Sequence, residues 1–352
     1  MKPIRWGILA CGTIARAFAE ACFLVPDCVV GAVGSRTRWK AEAFAASYGI
    51  GRAYGSYEEL VPDPTLDAIY VASPHSEHRT HTLLALRAGK HVLCEKAFAV
   101  NAGQAREMIA EAEKQGRFLM EAMWTRFLPV YGEVKRLLET GAIGSVKMVR
   151  ANFSIRCPAD PVHRLYNPAL AGGALLDVGI YPLTLAAMVF GSRPNAIHTA
   201  VSMTPQEVDE QSVITLEYGD GRLASLTSGL SLSSPNDGLI LGSDGYIRIP
   251  RFWAADSYYL HQTDSNIAQA HSFSISAFDD YGDPKENPQC RLADQYRSRY
   301  GYTFEIREAN RCIRQGLLQS PEMPWSESVA MLELTDAIRR KWGLRYPFEC
   351  GR

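Results

Sequence analysis

Ile4-Arg5-Trp6-Gly7-Ile8-Leu9-Ala10-Cys11, running directly into Gly12-Thr13-Ile14-Ala15, is the stretch on which the reading of this chain turns. A short apolar run of this kind predicts a buried strand, and the small residues after it predict a tight turn that opens a helix. Such a turn aims backbone N–H groups and a helix N-terminus at an anion, usually a dinucleotide pyrophosphate. The usual spacing is G-x-G-x-x-G/A. Here Ala10 takes the first position, Gly12 and Ala15 the next two, and Gly7 lies three residues upstream of Ala10. Gly12 is the glycine that lets the backbone approach phosphate. Ala10 replaces a turn glycine only if its φ is negative. A plain strand–turn–helix gives the same local pattern. Two features favour a nucleotide: the turn follows the first strand, and a second apolar run, Cys28-Val29-Val30-Gly31-Ala32-Val33, follows at βαβ spacing.

That second strand ends in Gly34-Ser35-Arg36-Thr37-Arg38. An acidic residue there accepts hydrogen bonds from a ribose 2′-OH, whereas an Arg suits a 2′-phosphate. Arg36 comes 24 residues after Gly12, near the expected interval of roughly 20. Its guanidinium can also stack on adenine. Ser35 adds a hydroxyl and Arg38 a second charge. No carboxylate occupies the turn, so NADP(H) is expected over NAD, the alternative being that Arg36 is a solvated loop residue.

The 352 residues suggest two domains, and 47% hydrophobic content is ample for two cores. A net charge of -1 gives no electrostatic reason to expect nucleic acid or an anionic membrane surface. No apolar run is expected to approach the roughly 18 residues of a membrane span. The first strand takes up the N-terminus, so a signal peptide is not expected. Eight scattered cysteines without a C-x-x-C pair fit a reduced, cytoplasmic compartment and lack zinc-ligand spacing, so no metal is expected.

Strand and helix signals alternate to about residue 122. Ser56-Tyr57-Glu58-Glu59 reads as a capping box, Asp67 to Ala72 as a third apolar strand, His78 to Ala88 as a helix stopped by Gly89, His91 to Cys94 as a strand, and Arg117 to Glu121 as another. Alternating βα units predict a Rossmann-type, doubly wound parallel sheet over residues 1–122. The pattern then changes. Alternating runs at Val146–Ile155, Asn195–Ser202, Ser212–Tyr218, Arg222–Leu230 and Gly238–Ile249, with turns at Gly219-Asp220-Gly221 and Ser243-Asp244-Gly245, predict a largely antiparallel open sheet. Residues 262–300 read as polar and irregular. Helices near Phe304–Gln315 and Ser326–Trp342 close an α+β domain spanning 123–352.

Hydride transfer from an alcohol carbon needs a base for the hydroxyl proton and donors that polarise the resulting carbonyl. Cys94-Glu95-Lys96-Ala97 lies at a strand's carboxyl end, where Lys96 can point into the ligand crevice and where burial beside a cationic nicotinamide lowers its pKa. An exposed lysine is the plain alternative. The second constellation is Gly172-Gly173-Ala174-Leu175-Leu176-Asp177-Val178-Gly179-Ile180-Tyr181-Pro182. Asp177 and Tyr181 are four apart, as on one helical turn. One can accept a substrate hydroxyl and the other can relay a proton; a cap and a core aromatic suit the pattern equally. His78 and His81 have the spacing of a metal pair on a helix but no carboxylate or cysteine companion, so a surface or core role is expected.

Taken together, the Gly7–Ala15 finger, Pro74 and His78, Glu95-Lys96, and Gly172-Gly173 through Tyr181 resemble the glucose–fructose oxidoreductase, inositol dehydrogenase and rhizopine catabolism family over nearly the whole chain. Met123-Trp124-Thr125-Arg126-Phe127, Tyr181 in place of a histidine, and Met323-Pro324-Trp325 resemble its branch of dimeric dihydrodiol dehydrogenases and NADP-dependent D-xylose dehydrogenases. The resemblance implies that Lys96 and Tyr181 do the acid/base work and that Asp177 positions substrate. It implies cofactor contacts from Gly7, Cys11, Gly12, Thr13, Ile14, Ser35, Arg36, Pro74, His75, His78, Glu95 and Lys96. It implies substrate contacts from Trp124, Arg126, Phe153, Asp177 and Trp253, three of them forming an aromatic wall. It also implies a homodimer. Ala10 departs from the family's finger glycine, and Ala97 from its proline after Glu-Lys. The expected activity is NADP(H)-dependent oxidation of a secondary alcohol in a small sugar or cyclic trans-diol. The alternatives are an NAD-dependent cyclitol dehydrogenase and a non-catalytic NADP-binding sensor.

Overall fold

The computed structural model describes residues 2–263, 269–272 and 300–349. They form two compact units. The first comprises residues up to Ala99, then Gly103–Trp124, then the described residues from Tyr300 to Ser328. The second comprises Val100–Ala102, the described residues from Thr125 onward to 272, and those from Val329.

The first unit is built on six parallel strands: β1 (Ile4–Leu9), β2 (Cys28–Gly34), β3 (Ala53–Tyr54), β4 (Ala68–Val71), β5 (His91–Glu95) and β6 (Leu119–Ala122). Their spatial order is β3-β2-β1-β4-β5-β6, as the alternating βα pattern predicts. Every residue of β4 and β6 is buried, the signature of a sheet covered on both faces. The chain runs outward in opposite directions from β1 and β4, and at such a switch point the strand ends leave a crevice for ligand. Helices Thr13–Cys22, Arg38–Tyr48 and His78–Arg87 follow β1, β2 and β4. Phe18 stacks on Tyr70 at 3.8 Å and meets Trp6 edge-on at 5.5 Å, so helix and sheet close over one aromatic cluster.

A single boundary after residue 122 does not describe this chain, because helix Tyr302–Arg314 returns to the parallel sheet. The reason is polar as well as apolar. The fully buried Trp6 indole N–H needs an acceptor and donates to Asn310 Oδ1 at 3.0 Å. Asn310 Nδ2 in turn donates to Asp27 Oδ1 at 3.2 Å, and Arg314 pairs with the Asp27 carboxylate. Further on, the Leu119 amide donates to the Leu318 carbonyl at 2.9 Å.

The second unit carries eight strands: β7 (Val146–Ser154), β8 (Ala196–Met203), β9 (Asp209–Glu217), β10 (Leu223–Gly229), β11 (Gly238–Gly242), β12 (Gly245–Ile249), β13 (Ser257–Gln262) and β14 (Gln269–Ser272). The order is β14-β13-β12-β11-β7-β10-β9-β8. All neighbours are antiparallel except β7 and β10, which run parallel. The expected strands are present; β13 and β14 add two, β14 falling in the stretch read as irregular. Most of that stretch lies outside the described residues. Alternation on β9 puts Ile214 and Leu216 inside, with Tyr218 buried just beyond, and leaves Val213 51% exposed.

Helix Ile180–Phe190 packs on β7 and β10. The segment Pro168–Phe190 is long and apolar enough to pass for a membrane span, contrary to the expectation that no run would be. Its most apolar window is 83% buried inside the protein, which accounts for its composition as a core element.

Candidate active site

The turn after β1 has the form of an anion cradle. Gly12, which has no side chain with which to cap, precedes helix Thr13–Cys22, a helix start of the kind whose first N–H groups can meet an anion. A Cβ at Gly12 would meet no atom within 4 Å. The residues therefore fit a dinucleotide pyrophosphate at Gly12, Thr13 and Ile14. Ala10 departs from expectation: its φ is +83°. The Ala10 amide donates to the Gly34 carbonyl at 3.0 Å, which holds this alanine in a conformation suited to glycine. Gly7 also needs reassignment. It is buried within β1, where a Cβ would lie 2.7 Å from both Leu66 and Ile69 side chains, so it serves close packing rather than the ligand edge.

At the end of β2, Ser35 is buried and receives the Thr37 amide at 3.3 Å, while Arg36 is exposed. Arg36 lies against Tyr57; burial pushes the Tyr57 phenol up and the guanidinium pulls it down. Arg38, expected to add a second charge, is paired with Glu59 at 3.0 Å.

The loops after β4 and β5 are tied together by His78. Its Nδ1 lies 2.9 Å from the Ala97 carbonyl and its Nε2 2.9 Å from the Ser73 carbonyl. Burial pushes its pKa down to about 4, the two carbonyls pulling the other way. With both ring nitrogens turned to protein carbonyls, His78 acts as a brace between loops rather than as a ligand contact. His81 binds Ser73 Oγ at 2.9 Å and meets Tyr57 edge-on at 4.6 Å, a packed role. His75, one residue after Pro74, is buried with its ring 5.5 Å from His78. Lys96 is half-buried, its amide donates to Glu95 Oε2 at 3.2 Å, and the Lys96–Ala97 peptide is cis. The Tyr70 hydroxyl donates to Glu95. Two residues that the sequence did not mark sit on helix Tyr302–Arg314. Tyr302 stacks on Trp124 at 4.5 Å. Glu305 is fully buried with neither carboxylate oxygen hydrogen-bonded among the described residues, and burial, reinforced by Glu95, pushes its carboxyl well above the usual range.

In the second unit, Leu175–Gly179 form a π-helical turn leading into helix Ile180–Phe190. Asp177 sits in this wider turn and Tyr181 in the α-helix beyond it, so they do not share a single α-turn. Such turns recur at functional sites. Pro182 has no N–H to give and its ring crowds the carbonyl four residues back, which favours the widening. Asp177 is 7% exposed and accepts from Arg164 Nη1 at 3.0 Å. Arg164 was not foreseen; twelve residues, broken into short helical turns, lie between the two, with no period to link them. Tyr181, 6% exposed, meets Phe153 edge-on at 5.3 Å, and Phe153 stacks on Trp253 at 4.2 Å. Thr125 Oγ1 donates to the Trp253 carbonyl at 2.6 Å, fixing that loop beside the short turn that also holds Arg126. Of the expected aromatic wall, Phe153 and Trp253 form a stack together, whereas Trp124 stacks on Tyr302.

The profile of the oxidoreductase family with an NAD-binding Rossmann fold, Gfo/Idh/MocA, matches residues 4–123, and that of the GFO/IDH/MocA C-terminal domain matches residues 131–248. The chain belongs to the Gfo/Idh/MocA family. Among its Gfo/Idh/MocA relatives, trans-1,2-dihydrobenzene-1,2-diol dehydrogenase of Xenopus laevis is 37% identical over 97% of this chain and 99% of that protein. The Homo sapiens enzyme of the same name is 32% identical over 98% of each. Among solved structures, aldose-aldose oxidoreductase from Caulobacter crescentus, complexed with glycerol, superposes with a TM-score of 0.81 at 26% identity, covering 97% of this chain and 98% of that one. A 3-ketoreductase from Actinomadura kijaniata in complex with NADP and TDP-benzene gives 0.81 at 26%, covering 96% and 98%. As a Gfo/Idh/MocA member with this fold, the chain is an NAD(P)-dependent oxidoreductase acting on CH–OH groups.

Proposed function

We propose that this chain is an NADP(H)-dependent dehydrogenase that oxidises a secondary alcohol of an aldose such as xylose or of a cyclic trans-diol. The observation that carries the reading is the constellation on the second unit: a buried aspartate, Asp177, held by Arg164, together with Tyr181 set against the Phe153–Trp253 stack. A carboxylate beside aromatic faces suits a hydroxylated ring, which has both polar edges and C–H faces. The dihydrodiol dehydrogenase name of relatives matched end to end supports the same substrate class.

The nicotinamide supplies the hydride acceptor. Tyr181 exchanges the proton of the reacting hydroxyl, and the family resemblance gives Lys96 a share in the same acid/base work. Asp177 accepts a hydroxyl of the substrate, and Arg126 and Trp124 add contacts at the substrate end. Gly12, Thr13, Ile14 and the neighbouring Cys11 hold the pyrophosphate. Ser35 and Arg36 hold the 2′-phosphate of NADP, supported by the absence of a carboxylate from the turn 34–38 and by the exposure of Arg36. Pro74, His75, Glu95 and Lys96 line the nicotinamide side. A homodimer is proposed on the family resemblance alone.

The test is the reduction of NADP⁺ and of NAD⁺, followed by absorbance across a panel of aldoses, inositols and trans-diols. Turnover of NADP⁺ with an aldose or trans-diol is the expected result. Turnover of NAD⁺ with inositols alone would make the chain a cyclitol dehydrogenase. Binding of NADPH without turnover of any panel member would make it a sensor.

A further inference from the structure

We infer that Asp209 is a positioning residue for the reaction: its carboxylate fixes the turn from which Asp177 and Tyr181 are presented, and Gly173 is a glycine in order to admit it. This rests on the reading above, in which Asp177 and Tyr181 meet the substrate.

Asp209 opens β9 and is completely buried. Its Oδ2 accepts the Leu175 amide at 2.6 Å, a short bond of the kind made by a carboxylate at a helix start. Leu175 is the first residue of the π-helical turn that holds Asp177. The other oxygen, Oδ1, has no hydrogen-bond partner of good geometry among the described residues and is turned towards Gly173. A Cβ at Gly173 would stand 2.1 Å from Oδ1, and its φ of +117° excludes ordinary side chains in any case. A buried carboxylate with an orphaned oxygen is costly unless its position serves something else.

The same carboxylate reaches the second half of the constellation through the backbone. The Gly173 amide donates to the Leu165 carbonyl at 2.8 Å, and Leu165 follows Arg164, the residue that pairs with Asp177. The Gly172 amide donates to the Asn167 carbonyl at 3.0 Å, and the Tyr346 hydroxyl donates to the Gly172 carbonyl at 2.8 Å. A Cβ at Gly172 would lie 2.7 Å from the Leu165 carbonyl oxygen, so the two strands of chain touch here without room for side chains. One buried side chain thus anchors both the turn that carries Asp177 and the segment that carries its partner. Burial pushes the Asp209 carboxyl up to about 7, while the amides of Leu175, Asp209 and Ala174 and the buried Arg339 guanidinium favour its charged form.

Asp209→Ala and Asp209→Asn in the full chain test the inference, with NADP⁺-dependent oxidation of D-xylose and of trans-1,2-dihydrobenzene-1,2-diol as the assays. Asp209→Ala is expected to lower kcat by about tenfold or more, with NADPH affinity per molecule unchanged. Asn keeps an oxygen for the Leu175 amide, so Asp209→Asn is expected to recover most of that loss. Unchanged kcat in both variants, whatever their melting temperatures, would overturn the inference. If Asp209→Ala does not fold, Asp209→Ser replaces it: loss of kcat at retained NADPH affinity supports the inference, and unchanged kcat overturns it. Tyr181→Phe and Asp177→Asn run alongside. If these lose turnover and the Asp209 variants do not, the inference alone fails; if these keep full turnover, the underlying reading falls and takes the inference with it.

Discussion

Arg164 donates to Asp177 at 3.0 Å, joining a half-exposed guanidinium to a buried carboxylate. Removing the guanidinium takes a charge-assisted hydrogen bond from a buried carboxylate, which costs more than the loss of a surface pair. Arg164→Gln is therefore expected to lower kcat/KM for the alcohol by about tenfold, with KM for the nucleotide unchanged. Steady-state kinetics varying each substrate in turn measure this; an equal effect on both would remove Asp177 from substrate binding.

Tyr181→Phe deletes only a hydroxyl from a ring already packed edge-on against Phe153. The fold should be undisturbed. Turnover is expected to fall by a factor on the order of 10² or more, the usual contribution of a positioned proton-transfer group. Titration with NADPH should give an affinity close to the parent's. Normal turnover would mean that another group moves the proton.

Arg36→Ala bears on the choice between cofactors. The side chain is exposed and lies against Tyr57, whereas Arg38 beside it is paired with Glu59, so Arg36 is the residue of this turn proposed for a 2′-phosphate. The substitution is expected to raise the NADP⁺ Michaelis constant by roughly tenfold or more and to leave that for NAD⁺ little changed. Equal changes for both nucleotides would place Arg36 elsewhere.

Ala10 holds a φ of +83°. An L-residue in the left-handed region costs roughly 1–2 kcal/mol, partly offset by the greater chain entropy that glycine loses on folding. Ala10→Gly is expected to stabilise the protein by about 1 kcal/mol, read from urea denaturation. Destabilisation would indicate that the alanine methyl packs usefully at the turn.

His78 sets a pH dependence of stability. Its folded pKa of about 4 lies below the ordinary 6.5. Between those values the unfolded chain binds a proton that the folded chain refuses, so stability falls as pH is lowered through this window. The loss amounts to about 3 kcal/mol by pH 4, at about 1.4 kcal/mol per unit. Denaturation curves of the parent should weaken from pH 7 to pH 4.5 more steeply than those of His78→Gln. Parallel slopes would assign the acid sensitivity to other groups.

Much of this was legible in the sequence because local chemistry and tertiary environment agree. The parallel sheet follows from apolar runs at βαβ spacing, and Ser56 caps its helix through the Glu59 amide, as its capping box predicts. What escaped reading has a common cause: it depends on partners distant along the chain. Ala10 is held at positive φ by the Gly34 carbonyl, and nothing in its neighbours signals that. Gly7 resembles a finger glycine, yet Leu66 and Ile69 fill the space it leaves. Arg164 and Asp177 meet across a loop, and the π-turn breaks the four-residue spacing that seemed to align Asp177 with Tyr181. Strand β13 was missed because Ser257–Gln262 mixes polar and aromatic residues without a clear alternation.

The bonds from Asn310 to Trp6 and Asp27, and from the Leu119 amide to the Leu318 carbonyl, bear on how the protein comes off the ribosome. A nascent chain halted near residue 124 would hold all six parallel strands yet lack the acceptor for its Trp6 indole and the covering for its last strand. The nucleotide-binding half therefore reaches its finished state only after the other half has been synthesised. Truncated fragments cut at the apparent domain border should prove sticky and protease-sensitive, whereas the same segment joined by a short linker to residues 300–328 should not.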